Sequence, residues 1–120
     1  MTDILTAQQL HNFSMNKVAE FIQKENYEIL DASSDINQNP QFVVKKNDNL
    51  YFVVVQTTTY PKNPNEYDTD FMKLMSEHAK KHNAKLLFAG VGLVDIMNMN
   101  SPLTKNSNIV VKFDGLKQIN

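Results

Sequence analysis

Apolar and polar positions alternate along the chain with periods that mark out its elements. Leu10, Phe13, Val18, Phe21 and Ile22 recur at a helical spacing, and Thr6-Ala7-Gln8-Gln9 before them has the Thr-x-x-Gln pattern of a capping box. The spacing predicts a first helix from about Ala7 to Glu25, stopped by Asn26, a residue that tolerates the left-handed conformation. Tyr27 to Ala32 reads as a short strand and Ser33 to Asn39 as a polar connection. Gln41 to Lys46 is a second strand, Asn47-Asp48-Asn49 a tight turn, and Leu50 to Thr59 a longer third strand that forms a hairpin with the second. Apolar residues fall on both faces of that third strand, Phe52 and Val54 on one, Tyr51, Val53 and Val55 on the other. This is the pattern of a central strand covered by helices on both sides.

Asn63-Pro64-Asn65-Glu66 offers a second capping box, with Pro at the first helical position. Tyr67, Phe71, Leu74, Met75, His78 and Ala79 follow at spacings of three and four and predict one apolar stripe, on a helix that runs to about His82 and stops at Asn83. A fourth strand, Lys85 to Val91, comes at once, and a strand-helix-strand connection implies parallel pairing of the third and fourth strands. Asp95 to Asn108 reads as a loop, and Ile109 to Phe113 as a fifth strand before a short tail. The order α-β-β-β-α-β-β predicts an α/β fold: a mixed, mainly five-stranded sheet flanked by helices on both faces.

A chain of 120 residues makes a single domain the expectation. With 42% hydrophobic and 21% charged residues it has the composition of a folded globular protein rather than a disordered one. The apolar runs fall well short of the ~20 residues that span a bilayer, so no membrane partner is expected. Asp3 stands where a secretory signal would carry a base, which makes the cytoplasm the expected location. The absence of Cys removes disulfides and thiolate chemistry. All basic residues are Lys, and without Arg the chain lacks the planar fork that grips phosphates and guanine edges, which weighs against specific nucleic-acid recognition. A net charge of −1 adds no bulk attraction to it.

The stretch Asn39-Pro40-Gln41 to Val55-Gln56-Thr57-Thr58, set in this element order, resembles the core of the restriction-endonuclease-like, or PD-(D/E)XK nuclease, superfamily. Members of that superfamily place Pro-Asp at the start of the second strand and Glu-X-Lys on the third. Here Pro40-Gln41 stands at the first motif and Gln56-Thr57-Thr58 at the second. Many members also carry an acid in the first helix three residues before a small residue, and here Asn16 precedes Ala19 by that interval. The resemblance covers roughly Leu10 to Val91. It implies a restriction-endonuclease-like fold whose site residues would be Asn16, Gln41, Gln56 and Thr58, and, because related folds commonly pair, a homodimer as one assembly.

In such a nuclease two carboxylates hold a hard divalent cation and a Lys positions or polarises the attacking water. Asn16, Gln41 and Gln56 offer neutral amides instead, and Thr58 offers no ammonium. A hard cation dehydrates reluctantly without charge compensation. The expectation is therefore a non-catalytic nuclease-fold domain, without metal or cofactor, that binds a protein or small-molecule partner through the former active-site groove or through the Asp95 to Asn108 loop. Two alternatives stay open. Glu20, Asp31, Asp35, Glu77, Lys45 or Lys46 could be displaced members of a relocated metal site, or Lys45, Lys46, Lys80, Lys81 and Lys85 could bind nucleic acid without catalysis.

The remaining candidates are weaker. His78 and His82 share a helical face at a zinc-compatible spacing, but no Glu follows the first as in metalloproteases, and a core or boundary histidine is the better reading. His11 is isolated in sequence. Gly90 and Gly92 lie where a phosphate loop would begin, yet no Lys-Ser/Thr pair follows, so close backbone packing or a bulge explains them better. Ile96, Met97 and Met99 could form an adaptable apolar contact surface or pack over the sheet edge.

Overall fold

Thr6 and Gln9 cap the first helix as their spacing predicts. The Thr6 hydroxyl accepts from the Gln9 N–H at 3.1 Å and the Gln9 side chain accepts from the Thr6 N–H at 2.8 Å, so two donors left free by a helix start are satisfied. The structure, a computed structural model, describes residues 3–119. In it this helix, α1, spans Ala7–Lys24, and Asn26 closes it with φ of 67°. Then follow β1 (Glu28–Ala32), β2 (Phe42–Lys46), β3 (Asn49–Thr59), α2 (Thr69–Lys81), β4 (Ala84–Asp95), β5 (Ile109–Phe113) and β6 (Lys117–Ile119).

The fold is α/β, with one mixed, mostly antiparallel sheet between two helices. The strand order is β1-β2-β3-β4-β5, and β6 also pairs with β4. Asn47 and Asp48, at φ of 51° and 66°, make the two-residue hairpin that sets Lys46 opposite Asn49. β3 and β4 pair in parallel from Leu50 opposite Ala84 to Thr59 opposite Leu93, the geometry implied by the α2 crossover. β5 and β6 share the other edge of β4, at Val91 to Asp95 and Leu86 to Phe88 respectively. At the far edge, β1 breaks register on β2 between Ile29 and Asp31.

The two faces of β3 feed two separate cores. Val53 and Val55 pack with Met15, Val18 and Ile22 of α1 and with Leu87, Ala89 and Val91 of β4. Phe52 and Val54 pack with Met72, Met75 and Ala79 of α2 and with Leu86 and Phe88. Each large aliphatic or aromatic side chain so buried contributes about 1.5–3 kcal/mol, which holds α1 and α2 on opposite faces.

The structure departs from the sequence expectations at several points. The Asn63-Pro64-Asn65-Glu66 box does not start α2. Asn63 instead accepts from Asn65 N–H at 2.9 Å and Glu66 N–H closes a turn onto the Asn63 carbonyl. The cap is Asp68, whose carboxylate accepts from Asp70 and Phe71 N–H at 3.0 and 3.2 Å. With the later start, the buried stripe is Met72, Met75 and Ala79, while Leu74 is 65% exposed and His78 also faces outward. The His78 and His82 rings instead flank the buried Phe52 ring, each 5.6 Å from it, as boundary residues. On α1 the stripe is His11, Ser14, Met15, Val18 and Ile22, and Phe13 is 40% exposed. β4 continues past Val91 to Asp95, and the expected tail supplies β6. No helix among the described residues is long and apolar enough to cross a membrane.

Candidate functional site

The site forms where the pairing of β2 ends and β3 goes on. β3 stays paired with β4 up to Thr59, but its strand pairing with β2 stops at Phe42 opposite Val53. Gln41 completes that end. Its N–H donates to the Val53 carbonyl at 3.0 Å, its side-chain Oε1 accepts from Val55 N–H at 2.8 Å, and its Nε2 donates to the Gln38 carbonyl at 2.9 Å. The side chain is buried, so the amide continues the β ladder in place of backbone. A carboxylate in the same position would keep the bond from Val55 and lose the one to Gln38, because it has no donor.

Gln56 is engaged in the same way. Its Nε2 donates to the carbonyls of Pro64 at 3.2 Å and Glu66 at 2.5 Å, pinning the 60–68 segment across the sheet. Gly90 lies directly beside Gln56 on β4. A Cβ added there would stand 2.1 Å from the Pro64 carbonyl oxygen, and one added at Gly92 would stand 3.2 Å from Pro64 Cγ. The two glycines are therefore packing residues under a close backbone crossing. Thr58 donates to the Val91 carbonyl at 3.2 Å. Gln41 and Gln56 come together on the wall of one cavity, and Gln56 and Thr58 on the wall of another. Asn16 joins neither: it is exposed, off the α1 stripe that faces the sheet.

Those walls enclose a groove of about 710 Å³ and, behind it, a cavity of about 240 Å³. The groove runs between Ala7 and Leu10 of α1, the Gln56 to Thr59 end of β3 and the segment carrying Lys62, Asn63, Glu66, Tyr67 and Asp68. Ile36 borders both spaces. Gln8 holds it in place by accepting from Ile36 N–H at 3.0 Å and donating to the Ser34 carbonyl at 2.6 Å. The groove lies at the carboxyl end of the parallel pair, where open α/β sheets commonly bind ligands.

A buried polar cluster lies beside it on the α1 face. Thr57 Oγ1 donates to Ser14 Oγ at 2.7 Å and is 3.0 Å from His11 Nδ1. His11 is 1% exposed, and burial lowers its pKa from the ordinary value of 6.5. A stripe drawn through Leu10 and Phe13 leaves His11 and Ser14 off the buried face, whereas both lie on it. The available signal was the spacing of His11 and Ser14 with Met15, Val18 and Ile22, two polar residues on a strictly periodic buried face.

The groove carries one cation, Lys62, and two carboxylates, Glu66 and Asp68, of which Asp68 is occupied in capping α2. Among the described residues no group of three or more His, Asp or Glu side chains is gathered as a metal would need. Asp31 and Asp35 accept from Ala32 and Asn37 N–H close by in their own segment, and Glu77 lies on α2 away from the groove. Lys45 and Lys46 end β2 just before the hairpin turn, and Lys85 lies beside Tyr51 near the start of β3. Together with Lys80 and Lys81 at the C-terminal end of α2, they collect at the opposite end of the sheet from the groove.

No curated protein matches the sequence. The family model described as a domain of unknown function, DUF8840, matches residues 8–119, the span from α1 through β6, so the chain belongs to that family.

Proposed function

We propose that this domain is a restriction-endonuclease-like fold that has given up catalysis and binds a polar ligand or a partner's polar segment in the groove at the carboxyl end of β3. The observation that carries the reading is the use made of Gln41, Gln56 and Thr58. Gln41 uses both ends of its amide on backbone, and Gln56 and Thr58 donate to backbone carbonyls; the groove that Gln56 and Thr58 border is walled by Thr hydroxyls, Lys62 and Glu66 rather than by converging carboxylates. Neutral donors and acceptors in a concave site orient a ligand without activating water.

The test is twofold. Purified protein incubated with branched, single-stranded and duplex DNA under Mg²⁺ and Mn²⁺ leaves all three intact; cleavage that Asp31→Ala or Glu77→Ala abolishes overturns the reading in favour of a relocated metal site. Amide chemical-shift mapping against a panel of small polar compounds and short peptides then shows perturbations clustered at Thr57 to Thr59 and Lys62. Perturbations confined to Lys45, Lys46, Lys80, Lys81 and Lys85, appearing with nucleic acid and collapsing with salt, favour the nucleic-acid binder instead.

A second reading has its own observation. Ile96 and Met97 are 58% and 75% exposed at the start of the β4–β5 loop, with Met99 and Ile4 also exposed. Flexible Met side chains suit a protein partner, and this face is the domain's surface for one, including a second copy of the chain.

A further inference from the structure

The outer edge of β5 is a row of backbone groups that no strand meets. β5 pairs with β4 on its inner side, and among the described residues no strand pairs with its outer side. Ile96 N–H donates to the Asn108 carbonyl at 3.2 Å. Bonding alternates along an antiparallel ladder, so Val110 and Lys112 turn their backbone groups toward Val94 and Gly92 of β4, and Ile109, Val111 and Phe113 turn theirs outward. The Leu93 carbonyl, opposite Val111, accordingly bonds the other way, accepting from Tyr60 N–H at 3.0 Å. β5 keeps one unbroken register on β4 and carries Ile, Val, Val and Phe with a single charge, Lys112. Sheet edges are usually blunted by bulges, prolines or several charges, because a regular one invites a further strand.

We propose that this edge pairs with the same edge of a second copy of the chain, β5 against β5, antiparallel about a twofold axis at Val111. In that register Ile109 faces Phe113 of the second copy and Val111 faces its own counterpart, so every outward-turned residue of each copy exchanges both of its bonds. The side chains of these residues lie half-buried on the α1 face, where Phe113 already meets Phe21 edge-on with ring centroids 5.2 Å apart. Pairing therefore extends an apolar layer that each copy already has. The charges also fit. Lys112 comes opposite Val110 of the second copy and not opposite another Lys, and at a net charge of −1 per chain the two molecules scarcely repel. An unrelated strand would have to match this register through its own sequence, whereas a second copy matches it by symmetry and closes both edges at once. None of these residues lines the groove at the end of β3, so the pairing stands independently of what binds there.

The experiment is sedimentation velocity on the full chain from about 10 µM to about 1 mM, with amide hydrogen exchange over the same range. A pair of five-residue strands is small beside the roughly 800 Å² per partner of a standard interface, so the monomer is expected to pass into a dimer within these concentrations. The Ile109, Val111 and Phe113 amides, which point outward in the single copy, should exchange more slowly as it does. Val110→Lys sets a Lys against Lys112 of the second copy and should weaken dimerisation about fivefold, whereas Val110→Glu sets opposite charges together and should tighten it about threefold. Opposite shifts at one half-exposed position are not the mark of a damaged fold, and the wild-type exchange data stand even where a variant fails to fold. A chain that stays monomeric at about 1 mM overturns the pairing and leaves the edge to an extended segment of another protein. A dimer that protects Ile96 and Met97 and leaves the three β5 amides fast overturns it too, and so do Val110 variants that shift dimerisation in the same direction.

Discussion

Gln56 and Gly90 sit side by side on the parallel strands and serve the same carbonyl: Gln56 grips Pro64 O at 3.2 Å, and Gly90 leaves the room in which it lies. One residue supplies an attraction and the other removes an obstruction. Gly90→Ala would put a methyl group 2.1 Å from that oxygen, against backbone that cannot swing away. A loss of about 3 kcal/mol is expected, the upper end of the usual range for overpacking. Gly92→Ala meets only Pro64 Cγ at 3.2 Å and should cost clearly less. Urea denaturation of the two variants checks the ranking.

Gln41→Leu keeps the volume and removes both polar bonds, leaving the buried Val55 N–H without an acceptor. The expected cost is about 1–3 kcal/mol. Gln41→Glu should also destabilise, because the carboxylate is buried and faces the Gln38 carbonyl with no proton to offer. Stability that stays unchanged in Gln41→Glu would show that the position accommodates an acid. Denaturant midpoints, with a check for Mg²⁺-dependent stabilisation of the Glu variant, read out both.

His11 gives the fold a pH dependence whose sign follows from its burial. Its native pKa lies below the unfolded value of 6.5, so between the two the unfolded chain binds more proton. Stability is then full above about pH 6.5 and declines as pH falls from there toward the native pKa. Measured at pH 7.5 and 5.5, wild type should lose more stability than His11→Gln, which lacks this titration. Equal losses in the two proteins would remove His11 as the source.

Asp68→Ala removes the carboxylate that caps α2 and should cost about 1 kcal/mol, whereas Asp68→Ser should retain most of the stability. Glu66→Ala, at the position the sequence pattern favours as part of the cap, should be near neutral, because the bonds it makes to Asn63 and Gln56 run through its backbone. Thermal melts of the three variants distinguish the caps.

The sequence was most readable where one local signal met no competitor. The Thr6–Gln9 box, the Asn47–Asp48 hairpin and the two-faced β3 all rest on spacings of a few residues, and each is present. The second helix start is hidden because Asn63-Pro64-Asn65-Glu66 carries the same letters as a capping box, while Gln56 on β3 and Gly90, far off in sequence on β4, draw that segment into a crossing. β6 is hidden for a related reason: three residues carry too little periodicity to declare a strand, and only the unpaired edge of β4 gives them one. The groove was half legible. Gln56 and Thr58 stand out only through the motif their stretch resembles, whereas His11, Ser14 and Thr57 become a cluster only when α1 is laid on the sheet.

The break in register between Ile29 and Asp31 has a bearing on how molecules of this protein meet one another. β1 is the free rim of the sheet on its side, and a regular rim is a template on which another chain can grow a strand. Here the ladder is interrupted and Glu28 and Asp31 are exposed along it. A neighbouring molecule would find a broken set of hydrogen-bonding groups beside negative charge. Fibre-like stacking through this rim is thereby discouraged even in a crowded solution.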